Sequence, residues 1–312
     1  MDDNVDPMER LAFDSDSDSD YYKDERVIEF DSISALSAQQ VVGAIQERIT
    51  RNVLLLCLEL NFRGVAGQRL DETVNMQNGI VENIMHIKNI KFFNICHEKN
   101  ETIRCFNFFI RIIQNINGDR KNIEYFNAVD KFDALSLEGG VYKLANAIRS
   151  NTNNINGAIN SLCFIDLNLN PVTLQPLLDA LLETGVRKLL FNNESNERLD
   201  APVSNNSNFT GLSTNTSLKE LHFVDYIDCK RNCINLFDAI AVNTGLEKFV
   251  LDIHFRDACD DDDVVLECLK KMLRTNSTLL HVTIRINGMD TLPQEIAFET
   301  ERNRDRRRRR LR

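Results

Sequence analysis

One short pattern of apolar positions recurs along this chain: an apolar residue, a second one three positions later, and a third two positions beyond that. Eight copies of the pattern begin 34, 36, 36, 27, 32, 28 and 33 residues apart. The apolar triplets are Val53-Leu56-Leu58, Ile87-Ile90-Phe92, Ile123-Phe126-Ala128, Ile159-Leu162-Phe164, Val186-Leu189-Phe191, Leu218-Leu221-Phe223, Leu246-Phe249-Leu251 and Leu279-Val282-Ile284. A period of about 20–50 residues predicts a solenoid, whose units bury their apolar faces against one another.

Each triplet has the spacing of a short strand, and most triplets are followed by a run of apolar residues at helical spacing. The helical runs are plainest at residues 142–148, 174–182, 236–241 and 264–273. Strands that alternate with helices predict an α/β fold with a parallel sheet. Residues 32–49 also have helical spacing, and because they precede the first triplet they are predicted to cap the open end of the array.

Nearly the same turn sequence precedes three of the triplets: Asn215-Thr216-Ser217-Leu218, Asn243-Thr244-Gly245-Leu246 and Asn276-Ser277-Thr278-Leu279, with Glu183-Thr184-Gly185-Val186 as a looser copy. These residue types favour helix ends and turns. The run from Leu236 to Leu251 resembles the leucine-rich repeats of the ribonuclease-inhibitor class, which also occur in Ran GTPase-activating proteins, tropomodulins and innate-immune receptors of NOD type. The resemblance covers about residues 50–288.

This resemblance implies a leucine-rich-repeat solenoid in the form of a horseshoe, with a parallel sheet on the concave face and helices on the convex face. In this class an asparagine usually closes the strand motif. Here that position holds asparagine only at Asn61 and Asn287. A weakened asparagine ladder is therefore expected at the strand ends.

Charge separates the two ends of the chain from its middle. Residues 1–31 hold 12 acidic and 3 basic residues and include the alternating run Asp14-Ser15-Asp16-Ser17-Asp18-Ser19-Asp20. Residues 299–312 hold 8 arginines and 3 acidic residues. Segments with so little apolar surface do not compensate for the entropy lost on ordering. We therefore predict a disordered acidic tail at 1–31, the repeat domain with its N-terminal helical cap at 32–298, and a disordered arginine-rich tail at 299–312.

Several features bear on the location of the protein. No segment has the roughly 18 consecutive apolar residues of a membrane span, and the start Met1-Asp2-Asp3-Asn4 lacks the basic and apolar regions of a secretory leader. The 8 cysteines include no Cys-x-x-Cys pair. Reduced cysteines of this kind are typical of intracellular proteins. We predict an intracellular, cytoplasmic protein, with a nuclear location as an alternative, and we expect no metal and no cofactor.

The residues between the apolar triplet positions are predicted to form the concave surface. They mix apolar groups with charges of both signs, as expected of a surface that binds a protein partner. The candidate partner-binding residues are Phe93, Tyr125, Lys188, Glu220, His222, Lys248, Asp252 and Arg285. The alternative is that apolar members such as Phe93 and Tyr125 only pack against one another across neighbouring strands.

A second candidate site lies at the C-terminus, in the consecutive arginines Arg306, Arg307, Arg308, Arg309 and Arg310. Their charge suits a nuclear-import receptor, RNA or an anionic membrane equally well. No aromatic residue interleaves with them, so stacking on nucleic-acid bases is not supported. The further alternatives are binding to the acidic N-terminus of the chain and a solvated tail without a role.

Catalysis is not predicted. The histidines fall at different offsets within their repeats and do not converge, and the chain has no glycine-rich loop that could cradle a phosphate. We predict a non-catalytic interaction scaffold or adaptor that binds an unidentified protein partner and is itself a monomer. The resemblance leaves two alternatives. One is a GTPase activator of the Ran-activating kind with Arg63 as its candidate arginine, and the other is an inhibitor of ribonuclease-inhibitor type, for which the mixed charge of the face is unfavourable.

Overall fold

The computed structural model describes residues 27–30, 40, 43–47, 57–62, 87, 89–94, 99–116, 121–127, 134–152, 159–165, 171–192, 209–224, 230–253 and 262–310. Within these segments no helix is long and apolar enough to span a lipid bilayer.

The strands form one sheet in which spatial order follows chain order. They are β1 (Val27–Phe30), β2 (Cys57–Phe62), β3 (Asn89–Asn94), β4 (Lys121–Asn127), β5 (Ile159–Ile165), β6 (Lys188–Asn192), β7 (Glu220–Val224), β8 (Lys248–Ile253), β9 (His281–Ile286) and β10 (Met289–Asp290). Strands β1 to β9 pair in parallel, and β10 folds back antiparallel to β9. Consecutive parallel neighbours require a crossover after every strand, so the predicted parallel sheet is confirmed.

Helices supply most of the described crossovers. They are α1 (Lys99–Asn115), α2 (Ala134–Thr152), α3 (Pro171–Leu182), α4 (Thr210–Thr214), α5 (Lys230–Val242) and α6 (Asp262–Thr275), and α7 (Pro293–Arg310) follows β10. Neighbouring helices pack side by side, as α1 does on α2 and α5 on α6. The predicted alternation of strand and helix is confirmed, and it is compatible with a repeat solenoid. Of the predicted N-terminal cap, residues 43–47 are helical and bury Ile45.

The apolar triplets form columns that run through the core from strand to strand. The first residues of the last five triplets, from Ile159 to Leu279, are all buried. The last residues stack on each other: the ring centroids of Phe164 and Phe191 are 5.4 Å apart, and those of Phe191 and Phe223 are also 5.4 Å apart. These separations approach the spacing of about 4.8 Å between strands. The register predicted for the Ile87 triplet and for the last five triplets is confirmed.

The register predicted for the β4 triplet was wrong. Ile123, rather than Phe126, takes the middle position opposite Ile90, and Tyr125, rather than Ala128, takes the last position opposite Phe92. The first position belongs to Lys121, which is 1% exposed. The buried Lys121 ammonium donates a hydrogen bond of 2.8 Å to the carbonyl of Ile87. The apolar pattern did not reveal the register of this repeat, because a lysine occupies its first core position. A buried cation is tolerated there only when its donors form hydrogen bonds.

A smaller shift affects the first predicted triplet, Val53-Leu56-Leu58. Leu58 and Leu60 pair with Ile90 and Phe92, so the triplet positions of β2 fall two residues later than predicted.

The structure also differs from the predicted tails at both ends. Residues 27–30, which we included in the acidic tail, form β1 and pair with β2. Residues 299–310, which we included in the arginine-rich tail, belong to α7. One side of α7 is buried at Ile296, Glu299, Thr300 and Asn303, at the spacing of a helix face. Packing of that side against the last repeat orders a segment whose composition suggested disorder.

Asparagines at the helix-to-strand turns link successive repeats through backbone groups. The side-chain nitrogen of Asn243 donates to the carbonyls of Leu212 and Asn215, at 2.5 and 2.7 Å. Its oxygen accepts from the backbone amides of Gly245 and Leu246, at 2.8 and 2.7 Å. Each such asparagine therefore holds its own turn and the preceding turn at once.

The same arrangement recurs in the next repeat and ends in α7. Asn276 donates to the carbonyls of Ile240 and Asn243 and accepts from the amides of Thr278 and Leu279. Asn303 of α7 donates to the carbonyls of Asn276 and Leu279, at 3.2 and 3.0 Å. We call Asn215, Asn243, Asn276 and Asn303 the turn ladder. It takes the place of the asparagine ladder expected at the strand ends.

Candidate functional site

The outward side of β6 to β9 presents side chains in three rows that cross the sheet. We call this surface the strand face. Its rows are Lys188, Glu220, Lys248, His281; then Leu190, His222, Val250, Thr283; then Asn192, Val224, Asp252, Arg285. Residues on β6 to β8 are half-buried at these positions, while alternate residues of the same strands are buried in the core. Alternation along each strand thus follows from the triplet register.

The first row is an alternating series of charges. Lys188 Nζ lies 2.9 Å from Glu220 Oε2, and Nε2 of His222 lies 3.7 Å from the same oxygen. The His222 imidazole contributes most to lowering the pKa of Glu220 from 4.5 to about 2, Lys188 and Lys248 add to it, and partial burial opposes it. Glu220 is therefore ionised at neutral pH. A carboxylate with so low a pKa is a poor general base.

The third row ends in a pair of opposite charges at the edge of the sheet. Arg285 Nη1 lies 3.8 Å from Asp252 Oδ2, and Arg285 Nε lies 3.1 Å from Asp290 Oδ1 on β10. Between the charged rows, Leu190 and Val250 are half-exposed. The middle row, with charges of both signs on its two sides, thus holds two apolar groups separated by His222 of β7, and we call this row the apolar strip.

Towards β3 the outward side holds amide and hydroxyl groups beside the charged residues Lys91 and Glu124, which pair in register. The side chain of Asn122 donates to Asn89 at 2.8 Å and accepts from Asn160 and Ser161, each at 3.0 Å. Burial, followed by the nearby Glu124 carboxylate, raises the pKa of the Cys163 thiol well above its usual range. A thiol held in its protonated form is a poor nucleophile and metal ligand.

The described segments contain no group of three or more His, Cys, Asp or Glu side chains arranged to hold a metal ion. Cys163, Cys233 and Cys268 are free thiols. Arg63, the candidate arginine of the GTPase-activator alternative, lies outside the described residues.

Six of the predicted partner-binding residues meet on the strand face: Lys188, Glu220, His222, Lys248, Asp252 and Arg285. Phe93 lies on β3 opposite Asn61 and Phe126, and its side chain is not described. Whether a partner binds these residues stays a prediction. The apolar strip of Leu190 and Val250 was not among the candidates, although the triplet register alone places both residues outward.

Tyr125 does not belong to this surface. It is 1% exposed and lies in the core, with its ring centroid 4.6 Å from that of Phe109 and 5.6 Å from that of Phe106. Its assignment to the surface followed from the wrong register of β4. The alternative of packing between aromatic residues holds for Tyr125, whose ring contacts Phe106 and Phe109 of α1.

The five C-terminal arginines are helical and attached to the rest of the protein at one point. Arg307 Nη1 lies 2.7 Å from Glu247 Oε2, directly before β8. Arg308 pairs within α7, with Glu301 and Asp305. The expected tail is thus a helix that lies beside the N-terminal ends of the last strands.

Neither protein-family models nor curated proteins give a match to this chain. The function is therefore argued from the geometry of the strand face and of α7.

Proposed function

We propose that this chain is a leucine-rich-repeat protein of the ribonuclease-inhibitor class, horseshoe-shaped, that binds a protein partner without catalysing a reaction. The repeating strand-helix units, the parallel sheet in chain order and the resemblance over Leu236–Leu251 support the family assignment. That stretch covers the second half of α5 and the first four residues of β8. In such an array the outward side of the strands is the concave surface.

The observation that carries the binding role is the composition of the strand face. The apolar strip, in which His222 separates the half-exposed Leu190 and Val250, lies between two charged rows. One row is led by Lys188, Glu220 and Lys248, and the other ends in Asp252 and Arg285. Protein interfaces commonly have an apolar centre and a polar rim. The charges also make such a surface selective, because a partner must match both signs.

The chemistry of the strand face favours binding over catalysis. Glu220 is ionised and engaged with Lys188, and Cys163 is a buried, protonated thiol. Neither group has the pKa near neutrality that a general acid or base requires. An inhibitor of ribonuclease-inhibitor type is not favoured, since Lys188, Lys248 and Arg285 make the face mixed rather than acidic.

The test uses a matched pair of substitutions in the full chain. Val250→Arg places a charge in the apolar strip, and Val242→Arg makes the same change at an exposed position near the end of α5. Tagged wild-type and variant proteins are incubated with an extract of the source cells, and bound proteins are identified by mass spectrometry. Circular dichroism confirms that each variant is folded.

We expect a specific partner to be retained by wild type and by Val242→Arg and to be lost by at least tenfold with Val250→Arg. Loss of the partner with both variants, or with neither, would exclude the strand face as the binding surface. The GTPase-activator alternative is tested separately, by single-turnover GTP hydrolysis with Ran-type GTPases and the Arg63→Ala variant.

A further inference from the structure

Six of the seven arginines of α7 fall into two sets, and the seventh, Arg308, pairs with Glu301 and Asp305 within the helix. The anchored set bonds to the protein: Arg302 and Arg304 donate to the carbonyls of Arg274 and Leu280, and Arg307 pairs with Glu247. A second set comprises Arg306, Arg309 and Arg310, which are exposed and have no acidic partner among the described residues. We call it the free arginine set.

The free arginine set is held in a fixed arrangement. Arg309 and Arg310 follow Arg306 by three and four positions, and residues so spaced lie on one side of a helix with Cβ atoms about 5–6 Å apart. The turn ladder and the anchored arginines fix α7 against the last repeat. An import receptor that takes an extended basic peptide would have to unwind this helix, so the folded protein favours a ligand that meets a helical surface.

The chain itself contains an anion of matching spacing. The run Asp14-Ser15-Asp16-Ser17-Asp18-Ser19-Asp20 lies outside the described residues and places an acid at every second position. In an extended chain, alternate side chains point the same way about 6.6 Å apart. Guanidinium groups bind carboxylates with good geometry. The spacing of the acids therefore fits the spacing of the free arginine set.

The length of chain between the acidic run and β1 decides whether the run binds the arginines of its own molecule or those of a second copy. Arg307 is bonded beside β8, and seven strand intervals of about 4.8 Å place β8 about 34 Å from β1 along the sheet. Residues 14 and 20 precede Val27 by 13 and 7 residues, which reach at most about 45 and 24 Å. Within one molecule the backbone of Asp20 falls well short of the arginines, and the other three acids reach them only with the chain largely extended, so the whole run engages the arginines only from a second copy.

We propose that the free arginine set binds the acidic run 14–20 of a second copy of this chain. The acidic run precedes β1 at one end of the sheet, and α7 follows β10 at the other, so the contact joins copies head to tail. Such a contact is heterologous and can add further copies, as a ring where the rotation between copies closes and as an open chain where it does not. Phosphorylation of Ser15, Ser17 or Ser19 strengthens it, because each phosphate adds negative charge.

The experiment is a complementation between two variants of the full chain, followed by sedimentation velocity. The acid variant carries Asp14→Asn, Asp16→Asn, Asp18→Asn and Asp20→Asn. The arginine variant carries Arg306→Gln, Arg309→Gln and Arg310→Gln. A charge-matched control removes three exposed cations from other surfaces with Lys143→Gln, Arg187→Gln and Arg231→Gln.

Wild type and the control are expected to associate as concentration rises, and either variant alone to weaken association about 5- to 100-fold, as expected for the loss of several exposed ion pairs. A mixture of the two variants forms a one-to-one complex that does not grow further, because each partner supplies one half of the contact. Association weakens at least tenfold between about 50 and 500 mM salt.

Three results overturn the proposal. Wild type remains monomeric up to about 100 μM at low salt; the arginine variant associates as wild type does; or the mixture of variants fails to form the complex while wild type associates. A parallel titration with a labelled single-stranded oligonucleotide addresses the nucleic-acid alternative. If the arginines bind the oligonucleotide and wild type does not self-associate, the free arginine set is a nucleic-acid site instead.

Discussion

Removing one member of the turn ladder tests how the repeats are joined. Asn276 is 1% exposed and lies between α6 and β9. Its side chain donates to the carbonyls of Ile240 at 2.7 Å and Asn243 at 3.0 Å, and accepts from the amides of Thr278 and Leu279, each at 2.8 Å. The substitution Asn276→Ala removes these four hydrogen bonds together with a fifth, which the Thr278 hydroxyl donates to the same side-chain oxygen at 3.2 Å.

The size of the expected loss of stability follows from the hydrogen bonds that each partner of Asn276 keeps after the substitution. The carbonyl of Ile240 keeps the hydrogen bond from the amide of Asn243, at 3.1 Å. The amides of Thr278 and Leu279 lose the side-chain acceptor, and the carbonyl of Asn243 keeps only a long contact of 3.4 Å from the Thr278 hydroxyl. With about 1 kcal/mol for each of three weakened or unsatisfied groups, the free energy of unfolding falls by about 3 kcal/mol.

The assay is urea unfolding of the full chain, followed by circular dichroism, with hydrogen exchange at the amides of Thr278 and Leu279 as a local measure. Asn146→Ala, at an exposed position of α2, serves as the control and should change stability by less than about 0.5 kcal/mol. If Asn276→Ala loses less than 1 kcal/mol and the two amides remain protected, the turn ladder does not hold the repeats together.

The substitution Asn276→Asp distinguishes the contribution of the donating side-chain nitrogen from that of the accepting oxygen. The aspartate keeps an acceptor for the two amides but turns a carboxylate oxygen towards two carbonyl oxygens. Burial and these oxygens raise its pKa in the folded protein above the unfolded value of about 3.9. The loss of stability is therefore largest at neutral pH. It decreases as the pH falls through the folded-state pKa, because a protonated carboxyl group can donate a hydrogen bond to the carbonyls. A variant equally destabilised at pH 7 and pH 4.5 would contradict this account.

Three further predictions concern the core and the strand face. Tyr125→Ala should lower the free energy of unfolding by about 3–5 kcal/mol, as loss of a buried aromatic ring does, whereas a surface role predicts almost no change in thermal unfolding. Gly245→Ala should cost roughly 1–3 kcal/mol in urea unfolding, because a Cβ at this position would lie 2.7 Å from the backbone of Thr216. The lowered pKa of Glu220 gives stability that is present above pH 4.5 and is lost as the pH falls towards 2. Partial exposure reduces this contribution to about 1–2 kcal/mol, so Glu220→Gln should be destabilised by that amount at pH 7 and should lose less stability than wild type between pH 5 and pH 2.

The sequence predicts the C-terminal half of the sheet well because two independent patterns agree there. The triplets from Ile159 onward give the register, and the asparagine turn sequence before Leu218, Leu246 and Leu279 marks where each strand begins. Both follow from local spacing. The outward positions of β6 to β9, and with them the six charged residues of the strand face, are then determined by alternation.

The register of β4 depended on a contact that local spacing does not reveal. Lys121 appears polar in the sequence, but its ammonium bonds a carbonyl 34 residues earlier and its stem fills the apolar position. With Lys121 taken as a surface residue, the triplet moved to Ile123-Phe126-Ala128 and Tyr125 moved to the surface. The assignment of Tyr125 to the surface and the wrong register of β4 therefore have the same cause, the buried Lys121.

The order of α7 depended on tertiary contacts in the same way. Seven arginines dominate its composition, and the buried positions Ile296, Thr300 and Asn303 form only a short apolar and amide stripe. The contacts that fix them lie 24 and 27 residues earlier in the chain, at Leu279 and Asn276. Composition shows how little apolar surface a segment can bury by itself. It does not show that a neighbouring repeat offers a surface against which the segment packs.

The last member of the turn ladder explains why the array ends at α7. Asn243 and Asn276 each donate to the preceding turn and accept from amides of their own turn, directly before the next strand. Asn303 also donates to the preceding turn, but it lies inside a helix, and its side-chain oxygen accepts no hydrogen bond from the described residues. A further repeat would need a turn and strand amides at that point, and α7 offers neither. The helix therefore closes the array, and the free arginine set at its C-terminal end is left for a contact with another molecule.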